Sequence, residues 1–67
     1  MTIELREEFI KLGQALKAAG LVSNGAEAKF EILEGNVLVN GLVESQRGKK
    51  LYSGDCVIFN GEKIEIK

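Results

Sequence analysis

The sequence predicts an α+β fold in which two short helices pack on a small, mostly antiparallel sheet. Three observations carry that expectation. Apolar residues recur at helical spacing from Leu12 to Leu33, the pattern changes to alternation after Gly35, and two Asn-Gly pairs, Asn40-Gly41 and Asn60-Gly61, each separate apolar runs.

Taken in order, Met1-Thr2-Ile3-Glu4-Leu5 alternates polar and apolar residues and is expected to form a short edge strand. Leu12, Ala15, Leu16 and Ala19 then fall on one helix face, and Gly20 suits the left-handed residue that closes a helix. Asn24, followed three residues later by Glu27, matches a capping box, in which the asparagine oxygen accepts a backbone N–H and the glutamate reaches back. A second helix is expected to run to about Glu34. Ala26, Phe30 and Leu33 lie along one line of it and Ala28 and Ile32 along the next. Past Gly35, Asn40-Gly41 joins Val37-Leu38-Val39 to Leu42-Val43, and Asn60-Gly61 joins Cys56-Val57-Ile58-Phe59 to Glu62-Lys63-Ile64-Glu65-Ile66. Between the hairpins lies a polar stretch, Ser45-Gln46-Arg47-Gly48-Lys49-Lys50, and Ser53-Gly54-Asp55 is a turn that re-enters the sheet. Phe9, Phe30 and Phe59 read as core.

A chain of 67 residues makes one small domain. Its 45% hydrophobic and 28% charged residues suit a folded soluble protein. Cys56 is the single cysteine, so no internal disulfide forms, and a buried thiol in a reducing compartment, the cytoplasm, is expected. No apolar run approaches the length of a membrane span, and the N-terminus has no signal-peptide pattern. The residue inventory weighs against an enzyme and against a metal centre. There is no histidine, the one aspartate lies in a turn, and Glu7 and Glu8 point to opposite sides if extended. No catalytic residue, metal ligand or cofactor is assigned.

With a formal net charge of −1, binding to a polyanion would need segregated charge. Arg47, Lys49 and Lys50 sit within four residues that contain no acid, and are the leading candidates for phosphate contacts. Arginine can grip two oxygens, while the lysines act as mobile point charges. The start of the second helix offers free N–H groups and a positive dipole end. There Gly25 permits close approach of a phosphate, Ser23 can donate a hydroxyl, and Lys29 adds charge one turn later. Asn24 belongs to this group too, although capping alone explains it. Lys11 and Lys17 are six residues apart and diverge by about 120° on a helix, so they are not expected to meet one phosphate. Tyr52 has two readings, a ring that stacks on an unpaired base or one that covers the core. So few candidate exposed aromatics favour recognition of helical shape over a single-strand platform.

The succession resembles the S-four RNA-binding domain, or alpha-L motif, over about residues 10 to 60. The resemblance rests on Lys11-Leu12, Gly20, Ala26-Glu27-Ala28-Lys29 and Gly35-Asn36-Val37-Leu38-Val39-Asn40-Gly41, followed by Leu51, Gly54-Asp55 and Val57. It implies binding to structured RNA, ribosomal or transfer-RNA-like, by a small standalone bacterial protein associated with the ribosome. Lys11, as the basic residue that opens the first helix, joins the candidate contacts on this ground. Two positions depart from the pattern: Gly13 stands where the family often has aspartate, and Gly25 where it often has an arginine that meets phosphate. The resemblance therefore shifts the expected phosphate contacts toward the basic loop.

The rival expectation is a protein-interaction or dimerisation module without direct RNA binding, using a sheet edge such as Ile64-Glu65-Ile66 or the opening strand. A homodimer or contacts with ribosomal proteins fit either reading. An RNA binder needs Lys11, Lys29, Arg47, Lys49 and Lys50 near one another, whereas an interaction module needs an exposed apolar patch.

Overall fold

Both Asn-Gly pairs make tight two-residue turns, because each places two successive residues at positive φ. Asn40 and Gly41 lie at 52° and 85°, Asn60 and Gly61 at 53° and 77°. Such mirror-image turns match the right-handed twist of the strands they join. A computed structural model describes residues 1–67. The elements run β1 (Thr2–Ile3), β2 (Ile10–Lys11), α1 (Leu12–Ala18), α2 (Gly25–Leu33), β3 (Val37–Val39), β4 (Leu42–Val43), β5 (Lys50–Leu51), β6 (Cys56–Phe59) and β7 (Glu62–Ile66).

One five-stranded sheet has the order β1-β7-β6-β3-β4, and β2 and β5 form a separate antiparallel ribbon. The sheet is antiparallel except where β1 joins β7 in parallel. This is the expected α+β arrangement. β1 is an edge strand, as its alternation suggests, but Ile64-Glu65-Ile66 is not an edge: β7 is paired on both sides, and the second edge is β4.

The core joins Leu12, Ala15 and Leu16 of α1 and Ala28 and Ile32 of α2 to Val37, Val39, Val57, Phe59, Ile64 and Ile66 of the sheet. Strand alternation decides the sheet's share, with Ile64 and Ile66 inward and Lys63, Glu65 and Lys67 exposed. One expectation on α2 fails, the placing of Phe30 in the core. Phe30 and Leu33 are 60% and 61% exposed. The helix carries apolar residues around much of its circumference but turns only the Ala28 and Ile32 stripe inward, and Phe30 lies two residues from each, on the far side. Phe9 and Cys56 are half-buried rather than core.

Hydrogen bonds explain how both helices start, local ones for α2 and long-range ones for α1. Asn24 Oδ1 accepts the Glu27 N–H at 2.8 Å, and the Glu27 carboxylate accepts the Ser23 N–H at 3.2 Å, one residue before the capping asparagine. Ahead of α1 stands Lys11, whose side chain has no acceptor. Its helix is capped from a distance: the Leu12 N–H donates to the Lys49 carbonyl at 2.8 Å and the Gly13 N–H to the Arg47 carbonyl at 3.1 Å. Two orphan donors of the first turn are thus satisfied by the basic loop, which is thereby docked on the helix.

Candidate nucleic-acid interface

Docking the loop on α1 lays the stem of Arg47 across Gly13. A Cβ at position 13 would stand 2.7 Å from Arg47 Cγ and 3.3 Å from its Cδ, so only glycine leaves room for this path. The side chain continues to the start of α2, where its Nη1 lies 3.8 Å from the Cβ position of Gly25. The two glycines noted as departures in the sequence are therefore the two that flank Arg47.

Arg47 forms one wall of a hollow of about 280 Å³ between the two helix starts. Lys11, Gln14 and Lys17 form another, and the backbone at Gly13, Gly25 and Gly48 completes it. Three cations face this space, with no carboxylate and no apolar side chain on its lining. At the start of α2 the N–H groups of Gly25 and Ala26 have no protein acceptor. Arg47 forms no ion pair, since the one salt bridge of the chain joins Lys63 to Glu65 at 3.6 Å. A guanidinium at the positive end of a helix, beside two ammonium groups, is unfavourable until an anion enters.

The presence of both Lys11 and Lys17 differs from the helical-wheel expectation. Lys11 has extended backbone, φ −77° and ψ 147°, and precedes the helix, so the angle of 100° per residue does not apply to it. For this reason Lys17 is the site residue that helical spacing alone does not find.

The other candidates are distributed around this hollow. Lys29 lies with Ser45, Leu33 and Arg47 in an adjoining hollow of about 260 Å³, so Arg47 separates the two. Ser23 and Asn24 are exposed at the α2 start and do not line the first hollow. Lys49 gives its carbonyl to α1, and its charge helps to lower the pKa of Asp55. Lys50 places its Nζ 4.7 Å from the centroid of the Phe9 ring. Of the three basic loop residues, Arg47 alone lines the hollow.

A polar, acid-free hollow with three cations beside open helix N–H groups is suited to an oxyanion and gives an apolar substrate no footing. No group of histidine, cysteine, aspartate or glutamate side chains is placed to hold a metal. No helix is long and apolar enough to cross a membrane.

The small α+β fold is consistent with a known family, and the sequence match is direct. Residues 3–67 match the model of the S4 domain, and the chain belongs to that family. It is 44% identical over 59 residues to the "Probable ribosome maturation protein RlbA" of Bacillus subtilis, covering 88% of this chain and 83% of that one. It is 37% identical over 61 residues to the "Putative RNA-binding protein YbcJ" of Escherichia coli, with 91% and 87% covered. A tyrosine–tRNA ligase of Burkholderia lata is 37% identical over 54 residues, which are 81% of this chain but 13% of the ligase. That likeness concerns one segment of the ligase.

Proposed function

We propose that this chain is a noncatalytic cytoplasmic RNA-binding protein that recognises structured RNA, ribosomal or transfer-RNA-like, through its backbone phosphates. The observation that carries the reading is the convergence of Lys11, Lys17 and Arg47 on one acid-free hollow at the open N-terminus of α2. Membership of the S4 domain family supports it, as do the names of the relatives from Bacillus subtilis and Escherichia coli. A phosphate enters the hollow, Arg47 grips two of its oxygens, and the N–H groups of Gly25 and Ala26 take the remainder. Ser23 and Lys29 hold the neighbouring phosphates, with Lys49 and Lys50 adding longer-range charge. Asn24 acts by keeping the helix start open. Contacts of this kind position a helical RNA without reading its sequence.

Fluorescence anisotropy with a structured RNA, its matched single strand and a matched DNA duplex, at two salt concentrations, tests the reading. Preference for the structured RNA is expected. Neutralising about four phosphates gives a slope of log affinity against log salt near about −3.6. Absence of binding at low salt to any of the three would reject it.

One feature favours a second reading, a protein or homodimer interface. The edge strand β4 exposes Leu42 by 75% and Val43 by 61%, apolar side chains on a strand with one free side. Analytical ultracentrifugation decides it, with a monomer that still binds RNA excluding a dimer as the working form.

A further inference from the structure

The β2–β5 ribbon has two faces of different chemistry. Ile10 pairs with Leu51, and these turn toward the core, Leu51 fully buried and Ile10 half-buried. Alternation puts Lys11 and Lys50 on the opposite, outer face, and carried one residue beyond each strand it adds the half-buried Phe9 and the exposed Tyr52. Continuing the register opposes Phe9 to Tyr52, and their ring centroids lie 6.1 Å apart at an interplanar angle of 52°. Lys50 sits diagonally over Phe9. These four positions carry two aromatic rings and two cations, while Glu4 and Glu7 line a hollow on the other side of Phe9.

Tyr52 is the open member of the pair. It is 43% exposed, and its hydroxyl has no protein partner. Its backbone is held firmly. The Tyr52 N–H donates to Asp55 Oδ2 at 2.8 Å, and Asp55 Oδ1 accepts from the Asn40 side chain at 3.0 Å. Asn40 in turn accepts the Cys56 N–H at 2.9 Å, so the ring is carried by a turn tied to the main sheet. A large ring carried on backbone held in this way, and set against the Phe9 ring, loses less freedom when a ligand covers it than one on a mobile loop.

The register also places Lys11 directly opposite Lys50, a like-charge pair that disfavours the ribbon in isolation. Lys11 is shared, because it also lines the phosphate hollow. A chain of phosphates that leaves the hollow past Lys11 therefore arrives at Lys50 and the two rings.

We propose that the outer face of the β2–β5 ribbon, centred on Tyr52 and supported by Phe9 and Lys50, is a stacking platform for one unpaired base of the RNA whose phosphate occupies the neighbouring hollow. The proposal rests on the RNA reading above. A base within a helix has both faces covered by its neighbours, so only a bulged, looped or terminal base reaches Tyr52. The preferred ligand is then a junction, with a helical segment on the cationic hollow and an unpaired nucleotide on the ring.

The test uses two RNA hairpins that differ by one bulged nucleotide, 2-aminopurine, whose fluorescence is excited beyond tyrosine absorption. Wild-type protein is expected to bind the bulged hairpin at least about fivefold more tightly, the lower end of base–aromatic stacking. The analogue's emission should change on binding. Tyr52→Phe keeps the preference, since the ring stacks without its hydroxyl, and Tyr52→Ala brings the ratio of the two affinities to about one. Circular dichroism verifies that both variants fold. Equal, salt-dependent binding of both hairpins by the wild type overturns the platform and leaves the phosphate reading standing. A preference that survives Tyr52→Ala also overturns it, and no binding to either hairpin overturns both readings.

Discussion

Gly13 of α1 and Arg47 of the basic loop are in direct contact, and a methyl group at position 13 would stand 2.7 Å from the arginine Cγ. That atom is near the root of the side chain, and the Arg47 carbonyl is held by the Gly13 N–H, so the clash is relieved by moving the loop or by turning the arginine about its first side-chain bond, and either takes the guanidinium from its place. Gly13→Ala gains about 1 kcal/mol of helix propensity. It loses about 1–3 kcal/mol to overpacking. The expected result is a modest fall in thermal stability with a clear fall in RNA affinity. Gly25→Ala is the control for the fold, since its nearest neighbour is at an ordinary 3.8 Å and its melting temperature should hold.

Arg47→Ala removes the wall between the two hollows. RNA affinity should fall alike across sequences, and the salt slope should shrink by about 1 for each phosphate that is no longer neutralised. Lys17→Ala should act in the same direction. Arg47→Lys should restore charge without the two-pronged grip and recover only part of the affinity. Lys63→Ala, from the ion pair with Glu65, should leave affinity and slope unchanged in the same anisotropy titration.

Asn24→Ala strips the start of α2 of the oxygen that holds the Glu27 N–H. Loss of such a cap costs about 1 kcal/mol. For a domain of this size that lowers the melting temperature by roughly 4–8 °C, measured by circular dichroism. Asn24→Asp keeps an acceptor in place and should melt near the wild type, but a carboxylate at the helix start would compete with phosphate and weaken RNA binding.

The backbone N–H of Tyr52, and after it the side chain of Asn40, hold the Asp55 carboxyl below the ordinary aspartate range. A folded-state pKa below the unfolded one means that ionised Asp55 supports the fold. This contribution is complete above the unfolded value of about 3.9 and is lost as pH falls through the folded value. Wild-type stability should therefore decline with acid below about pH 4. Asp55→Asn should be less stable at neutral pH and show a flatter decline over that acid range, as followed by urea denaturation at stepped pH.

Much of the fold is legible in local chemistry. Asn40-Gly41 and Asn60-Gly61 read as tight turns because both residues tolerate positive φ, and the residues on either side supply the strands. Asn24 and Glu27 read as a helix start because a cap is a contact between residues three apart. The S4 family pattern is visible in the same local runs, and the family match covers residues 3–67. Phe30 reads as core from spacing yet lies exposed, because apolar residues encircle much of α2 and only α1 and the sheet select which stripe is buried.

Sequence alone determined the two helices, the two hairpins with their turns, the opening strand, the first helix face and the presence of a basic, acid-free loop, because these depend on residues within one or two turns of each other; the β2–β5 ribbon, which takes Lys50 from that loop into a strand, was not among them. Tertiary structure decided which cations meet. Arg47 reaches Gly25 only because the Leu12 and Gly13 N–H groups donate to the loop carbonyls, and Lys11 and Lys17 converge only because the strand becomes a helix between them. Contacts between residues more than about 20 positions apart depend on how the elements dock, and no local spacing encodes that.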